Sequence, residues 1–410
     1  MSAPITLTKG RELALLATLA AIQFTHIIDF MIMMPLAPQL MRLWGIGPQA
    51  FGVLLSAYTF AAAVSGLGAV LIVDRYDRRQ ALLFVYAGFT VATALCGIAP
   101  GYEALLGARI LAGAFGGVAG ALILAIVADV VPYGRRARAN ALVASAFSLA
   151  AIAGVPAGLW LAALSSWRTP FLAIAAIAVV VGVIAWRLIP PIATHVAHGR
   201  SQNALARLRS VVTVRNHWRA FAFIVALMLA GFTVIPFLAA YAVANVGLTE
   251  TELPLMYMAG GLATLVTAQI IGHLADRYGK KRVFAAIAIA SVVPILWVTH
   301  FPHASLVAFL PVSVLFMVLV TGRFGPAMAL VSGSAEPRVR GSFMSLNAAI
   351  QQAGAGVAAF VAGSMVGKVA TGELTGYGNV GWLATAFTLV AIALAFRIHV
   401  VDARDAAAPA

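Results

Sequence analysis

The stretch GHLADRYGKKR at residues 272–282 decides how the rest of the sequence is interpreted. It holds five charges within seven residues, in a chain of 410 residues of which only 10% are charged. A similar stretch, VDRYDRRQ, occupies residues 73–80, so that Asp74 recurs as Asp276 after 202 positions. The same offset carries further matches: Tyr76 onto Tyr278, Arg136 onto Arg338, Arg138 onto Arg340 and Gly154 onto Gly356. Agreement at one offset predicts two tandem halves of like structure and like orientation.

The composition is typical of a protein that lies within a lipid membrane. Hydrophobic residues make up 62% of it and the mean hydropathy is +0.98, whereas a soluble domain is about half apolar and a quarter charged. A globule of this size cannot hide that much apolar surface within itself. The net charge of +14 comes from short basic clusters between apolar runs, not from one basic patch. We therefore expect a membrane protein and exclude a nucleic-acid binder.

Twelve apolar runs have the length of a membrane-spanning helix, which needs about 20 apolar residues. None alternates as the strands of a membrane barrel do. The sequence thus predicts an all-α membrane protein with twelve transmembrane helices in two six-helix, pseudo-symmetric bundles. The runs are 12–38, 49–73, 80–99, 102–128, 139–163, 169–189, 219–244, 253–275, 282–300, 304–332, 341–367 and 379–397.

Basic residues predict the orientation of these spans. With the N-terminus in the cytoplasm, 22 of the 27 lysines and arginines fall on the cytoplasmic side and three fall outside. This bias predicts that both termini are cytoplasmic. The longest polar connection divides the chain into a bundle at 1–189, a linker at 190–218 and a bundle at 219–410. Within the linker, SQNALARLRSVV predicts a short basic amphipathic helix on the membrane surface.

Two six-helix repeats, a basic central loop and the motif at 272–282 resemble the major facilitator superfamily over nearly the whole chain. The second copy matches the loop signature of that family closely, whereas the first has Val70 and Asp77 in place of its glycines. The resemblance implies a transporter in which charged turns latch the cytoplasmic face and separate when that face opens. The alternative is that these charges only fix orientation. The candidate gate residues are Asp74, Arg75, Arg78, Arg79, Asp276, Arg277, Lys280, Arg138 and Arg340.

Spans four and five indicate which branch of this family the chain resembles. RILAGAFGG at 109–117 is similar to the arginine and glycine motif of the proton-coupled branch, with Ala112 where that motif has glutamine. AGVPAGLW at 153–160 resembles the Gly-x-Pro-x-Gly stretch of efflux antiporters. The chain therefore resembles the twelve-span drug:proton antiporters and the arabinose-type sugar efflux permeases. We assign helix-packing roles to Gly113, Gly116, Gly154, Pro156, Gly158 and Gly272.

Asp29 is the most costly residue within an apolar run. An acid near the bilayer centre costs at least ~2.5–3.5 kcal/mol, so it should face protein or water. It shares one helical stripe with Thr25 and His26. Burial favours its neutral form and a nearby cation favours the carboxylate, so a switch between the two would move a proton. We assign proton coupling to Asp29, with a structural ion pair as the alternative. His26 is a weaker candidate, with a histidine held in a satisfied polar network as the alternative.

Arg109 is the second costly residue, at a depth within about one helical turn of that of Asp29. A pairing between the two is feasible, and snorkelling to the outer headgroups is the alternative. The resemblance to the arginine of span four implies a role in proton coupling.

Other polar residues of the spans are candidates for the substrate cavity. Each is also of a type that commonly makes a hydrogen bond between helices. They are Tyr58, Tyr241, Asn245, Tyr257, Gln269, Arg323, Asn347 and Gln351.

The function that follows is secondary active transport, with export of a drug or sugar in exchange for protons as the first hypothesis. Import by proton symport, or a membrane sensor or channel, is the alternative. No nucleotide-binding, metal or nucleophile motif occurs, so we expect no enzyme, no cofactor beyond the proton gradient and no metal. The expected partners are a small solute, protons and lipid; the expected state is a monomer spanning a bacterial inner membrane.

Overall fold

The computed structural model describes residues 8–72, 76–132, 135–192, 209–336 and 339–401. These residues are almost entirely helical, as the length of the apolar runs predicts. Asp74, Arg75 and most of the predicted linker, residues 193–208, lie outside them.

The helices of the first half follow the predicted spans, with one short helix before span two. Span five is interrupted by a π-helical turn at Ala150–Gly154, just before the proline of the Gly-x-Pro-x-Gly stretch. The helices are α1 (Lys9–Ile32), α2 (Ala37–Leu43), α3 (Pro48–Ile72), α4 (Arg78–Ile98), α5 (Tyr102–Val130), α6 (Arg136–Leu149), α7 (Val155–Leu164) and α8 (Arg168–Leu188).

The helices of the second half repeat this order. Spans seven and ten are each broken, the tenth at Arg323. A hairpin of β1 (Gly367–Lys368) and β2 (Leu374–Thr375) pairs antiparallel, with Lys368 opposite Leu374. The helices are α9 (Arg215–Phe232), α10 (Leu238–Tyr241), α11 (Leu253–Tyr278), α12 (Lys280–Thr299), α13 (Leu306–Gly322), α14 (Phe324–Gly333), α15 (Arg340–Met365) and α16 (Tyr377–Arg397).

Eleven helical stretches of the described residues are long and apolar enough to cross a membrane. The twelfth predicted span is α15, a helix of 26 residues. Asn347, Gln351 and Gln352 make it more polar than the others. Polar side chains are tolerated in a spanning helix that packs against protein, so the prediction of twelve spans fits this helical pattern.

The chain forms two compact units: residues 1–33 with 57–202, and residues 34–56 with 203–410. In the first unit, α1 packs on α6 and α8, and α4 packs on α5 and α8. In the second, α9 packs on α15 and α16, and α12 packs on α13 and α16. These are the same pairings of repeat-related helices, which confirms the predicted internal repeat. The boundaries predicted at 189 and 218 stay a prediction.

The turn between the second and third spans is stabilised differently in the two units. In the first, the side chain of Asp77 accepts hydrogen bonds from the backbone N–H of Arg79, at 2.8 Å, and of Gln80, at 3.1 Å. It caps α4 as short acidic side chains commonly cap helices. In the second, Gly279 takes the same place with φ of +93°, a conformation that glycine adopts without steric cost. This difference explains the departure of the first copy from the family motif.

The offset of 202 does not hold along the whole repeat. Arg136 begins α6 and donates from Nε to the carbonyl of Val131; Arg340 begins α15 and donates likewise to the carbonyl of Ala335. The structure therefore pairs Arg136 with Arg340, and the predicted pairing of Arg138 with Arg340 is wrong. The turn before α13 is longer than its counterpart before α5, which shifts the offset.

Glycines of α5 allow neighbouring helices to approach closely. A Cβ added at Gly113 would lie 2.1 Å from the carbonyl oxygen of Tyr58, and one at Gly116 would lie 2.4 Å from Nε2 of His26. In contrast, a Cβ at Gly272 would meet nothing within 4 Å. Gly272 is exposed on α11, so the packing role predicted for it is wrong.

Replacing Gly113 with alanine is expected to destabilise the first unit, because the new methyl group would meet backbone that cannot easily move. Overpacking of this kind costs about 1–3 kcal/mol. Thermal unfolding in detergent should show a lower midpoint for Gly113→Ala. Gly120→Ala on the same helix is the matched control, since a Cβ there meets nothing within 4 Å. Equal midpoints for the two variants would contradict the close approach of α3 and α5.

Candidate functional site

The first unit contains a buried ion pair between α1 and α5. Nη1 of Arg109 donates to Oδ2 of Asp29 at 2.8 Å, and both side chains have 0% exposure. The same nitrogen lies 3.3 Å from the backbone oxygen of Asp29. Thr93 of α4 donates from its hydroxyl to Oδ1 of Asp29 at 3.1 Å. One carboxylate thus joins three helices in the interior, where an unpaired charge would be very costly.

The glycines of α5 hold these helices at the distance that the pair requires. Gly113 admits the backbone of α3 at Tyr58, and Gly116 admits the ring of His26 from α1. Arg109 begins the same glycine-lined face one turn before Gly113. The motif of span four therefore combines the cation with the close packing that buries it.

Aromatic rings complete the surroundings of the pair. The guanidinium of Arg109 lies over the ring of Tyr58, 4.2 Å from its centroid, in the geometry of a cation–π contact. The ring of His26 packs against Tyr58 and Phe89 at centroid distances of 6.3 and 5.7 Å. Neither ring nitrogen of His26 has a hydrogen-bond partner among the described residues, nor does the hydroxyl of Tyr58. The polar groups nearest the ion pair are therefore available for new hydrogen bonds.

The structure decides between alternatives that the sequence left open. Arg109 does not snorkel, because its side chain is fully buried and paired. His26 is not part of a satisfied hydrogen-bond network within the described chain. Thr93 was missed, because one threonine in an apolar span gives no signal. Tyr58 was assigned to the cavity, yet it contacts Arg109 through its ring face.

The helix that carries Asp29 packs on span five where the π-helical turn at Ala150–Gly154 joins α7. A Cβ at Gly154 would lie 2.6 Å from Cδ1 of Ile28, and one at Gly158 would lie 2.7 Å from Cδ1 of Ile32. Pro156 lies between them, buried in the first turn of α7. The Gly-x-Pro-x-Gly stretch thus receives one face of α1, directly beside Asp29.

Two of the predicted cavity residues make structural hydrogen bonds in the second unit. The hydroxyl of Tyr241 donates to the carbonyl of Phe301 at 3.0 Å. The amide of Asn245 bonds both the N–H and the carbonyl of Leu374, at 2.9 Å each, and so anchors the hairpin. Their polar groups are engaged by backbone outside the helices, so they do not make the hydrogen bonds between helices that were the alternative for them.

The other predicted cavity residues differ in burial. The hydroxyl of Tyr257 and the side-chain amide of Asn347 are buried without a hydrogen-bond partner in the described residues. Gln269 is exposed and Gln351 is half-buried. Arg323 has 0% exposure, so it does not snorkel either.

The described gate residues mostly bond within their own unit. Nε of Arg78 lies 3.3 Å from Oδ2 of Asp129, and Arg79 donates to the carbonyl of Trp186. The guanidinium of Arg277 lies 5.3 Å from the ring centroid of Tyr278. Asp276, Lys280 and Arg138 are exposed. A latch formed by these residues stays a prediction.

The family profile described as Major Facilitator Superfamily matches residues 19–359 and, in a second match, residues 220–410. The chain is similar to the uncharacterized MFS-type transporter YbcL of Bacillus subtilis, with 23% identity over 84% of this chain and 86% of that protein. It is also similar to a probable sugar efflux transporter of Helicobacter pylori, with 24% identity over 77% of this chain and 82% of the relative.

Solved structures show the same fold. A bacterial homolog of the human lysosomal transporter Spinster has a TM-score of 0.76 and 15% identity, with coverage of 96% of this chain and 98% of that one. A D-xylose-proton symporter also has a TM-score of 0.76, with 14% identity and coverage of 95% and 98%. At these identities the likeness concerns the fold alone.

We expect the two charges of the pair to depend on each other for stability. Asp29→Asn or Arg109→Gln alone leaves a buried charge without its partner, which costs ~3–5 kcal/mol. The double variant should cost less than the sum of the two, because neither charge then remains. Denaturant unfolding of the four proteins in mixed micelles measures this coupling. Glu103→Gln, an exposed position on α5, is the control; additive losses would show that the pair does not couple.

Proposed function

Because the chain belongs to the Major Facilitator Superfamily of membrane transporters, we propose that it exports a small organic solute in exchange for protons. The two six-helix halves alternate access to a central site, as in other transporters built from repeats. The proton gradient is the only energy source required. The transporter works as a monomer in a bacterial inner membrane, with both termini in the cytoplasm.

The buried pair of Asp29 and Arg109 is the observation that carries this proposal. As a carboxylate, Asp29 compensates the charge of Arg109. When a proton neutralises it, Arg109 retains the ring of Tyr58 but loses its counter-charge. A buried cation without a partner is strongly unfavourable. Protonation therefore destabilises this arrangement of α1, α4 and α5 and favours another, which is the coupling that an antiporter needs.

A movement of α1 on protonation would be passed to the rest of the unit through its contacts with span five. Gly154 and Gly158 pack on Ile28 and Ile32 of α1, which flank Asp29 in the sequence. A shift of α1 on protonation must move these contacts, because side chains cannot slide past a surface without repacking it. The π-helical turn at 150–154 is a local irregularity at which span five can bend.

Export is favoured over import by two similarities. The residues at 153–160 resemble those of efflux antiporters, and a relative is named a probable sugar efflux transporter. Proton symport is the alternative, since a D-xylose-proton symporter shares the fold. A neutral sugar and a lipophilic organic cation are both candidate solutes.

Transport into inverted vesicles separates these hypotheses. With radiolabelled arabinose, xylose and ethidium as probes, antiport predicts accumulation when the lumen is acid. Symport predicts accumulation only when the lumen is alkaline. Asp29→Asn should abolish accumulation while retaining part of the exchange of labelled for unlabelled solute, because the variant has no proton to release.

Glu103→Gln is the matched control, since it removes an exposed acid at the start of α5. It should accumulate the probe at the wild-type rate. If Asp29→Asn accumulates the probe as the wild type does, Asp29 is not the coupling residue. Accumulation that depends on an alkaline lumen would replace export by symport.

The orientation has its own test. In a Cys96→Ala background, Lys368→Cys and Lys280→Cys place single thiols at exposed positions. Intact cells treated with a membrane-impermeant maleimide should label Lys368→Cys, and permeabilised cells should label both. The reverse pattern would contradict cytoplasmic termini, which rest on the distribution of arginine and lysine.

A further inference from the structure

The second unit contains a buried arginine whose charge has no counter-ion among the described residues. Arg323 has 0% exposure and stands at the break between α13 and α14. Its Nη1 donates to the hydroxyl oxygens of Thr388, at 3.1 Å, and Ser291, at 3.4 Å. Both hydroxyls donate their own protons to carbonyls of their helices, Ala384 and Ala288. They are therefore oriented as acceptors toward the guanidinium, but they are neutral.

The remaining nitrogens of this guanidinium are unused. Nε and Nη2 of Arg323 are buried and have no hydrogen-bond partner in the part of the chain that the structure describes. An arginine keeps its charge at any pH that a protein experiences. The N–H groups of Nε and Nη2 thus lie buried without an acceptor among the described residues. Leaving the donors of a buried cation unpaired costs much free energy.

The sequence cannot supply an acid from the neighbouring spans. Between residues 215 and 401 the only acidic residues are Glu250, Glu252, Asp276, Glu336 and Glu373. All five fall in turns or in the last turn of a helix. The helices α9, α12, α13, α14 and α16 contain no carboxylate, and Asp276, the one acid of the neighbouring α11, is exposed in the last turn of that helix. A small rearrangement within the unit would therefore not bring a carboxylate to Arg323.

The internal repeat shows what is missing. In the first unit, Asp29 of the first helix compensates the buried Arg109. The sequence offset of 202 places Gly231 of α9 at the position of Asp29, and the offset of 206 between the starts of α1 and α9 places Ile235 there. Gly231 lies beside Arg323: a Cβ added at Gly231 would be 3.4 Å from Nη2 of Arg323 and 3.8 Å from Cδ1 of Ile235. The second unit thus also buries an arginine, at another level of its span, but the helix that corresponds to α1 carries no carboxylate.

We propose that Arg323 anchors a binding site for a small monovalent anion inside the second unit. The ligand is either a halide ion or the carboxylate of a solute, because both accept hydrogen bonds from a guanidinium, as the carboxylate of Asp29 does from Nη1 of Arg109. Nη2 and Nε of Arg323 bind it on the side of Gly231, where the nearest side-chain atoms besides the guanidinium are the apolar Cγ1 of Val320 and Cδ1 of Ile235. This inference does not depend on the direction of transport or on proton coupling.

Thermal unfolding of the purified full-length protein in detergent tests the site. Sodium bromide and sodium acetate are compared with the bulky sulfonate sodium MES at constant ionic strength. A ligand that binds only the folded state raises the midpoint with its concentration. We expect a saturable rise of roughly 2–4 °C above the MES reference for at least one of the two anions. A response to bromide alone identifies a halide site, and one to acetate alone identifies a carboxylate site.

Three variants separate specific binding from general salt effects. Arg323→Gln keeps a hydrogen-bonding side chain without the charge and should lose the response. Gly231→Asp adds an internal carboxylate beside Nη2, so it should raise the midpoint in MES and also lose the response. Gly272→Asp is its matched control, because it adds the same carboxylate at an exposed position of α11, where a Cβ meets nothing within 4 Å; it should respond as the wild type does. If Arg323→Gln does not fold, the comparison of Gly231→Asp with Gly272→Asp still decides.

Three results would overturn the proposal. The first is a wild-type midpoint that neither bromide nor acetate raises. The second is an equal response in the wild type and Arg323→Gln, which would reveal a general salt effect. The third is a full response in Gly231→Asp, which would place any bound anion elsewhere.

Discussion

The bond between Asp29 and Arg109 is the constraint on which the first unit depends. Lipid surrounds the protein, so two opposite charges can exist in its interior only if helices hold them together. Three features of the sequence serve that need. Glycines of α5 bring α1 and α3 close, Thr93 satisfies the second carboxylate oxygen, and the ring of Tyr58 covers the cation. The complete burial of both side chains also makes the pair sensitive to a single proton, because the interaction between buried charges is only weakly screened.

The two units share a plan of helix packing but distribute charge differently. In the first, a cation and an acid neutralise each other within the unit. In the second, the buried cation lies three turns further along its span, beside glycine and hydroxyl groups. Duplication therefore preserved the apolar contacts and left the polar interior free to diverge. A buried ionisable residue in a membrane protein is retained at a cost and commonly marks function, and the two proposals accordingly assign separate chemical tasks to the two units.

Most of the helices could be predicted from the sequence, because the length of an apolar spanning helix is set by the thickness of a membrane. The approach of Asp29 to Arg109 was predicted only as feasible, since depth along a helix does not say which faces meet. Thr93 and the fully buried state of Arg323 could not be found. Both depend on packing between helices that are distant in sequence. The exposed Gly272 shows the reverse error, in which a family motif suggested a contact that its side of α11 does not make.

The cap of α4 has a mechanical consequence for the first unit. Oδ2 of Asp77 accepts a hydrogen bond from the N–H of Ile192 at 2.8 Å, while the N–H of Arg78 donates to the carbonyl of Ile192 at 3.1 Å. The chain after α8 is thus pinned to the start of α4 before it leaves the unit. A force on the chain at Ile192 would therefore be transmitted to the start of α4, in the third span, as well as to the end of α8 in the sixth. Gly279, with no side chain, offers the second unit no such attachment.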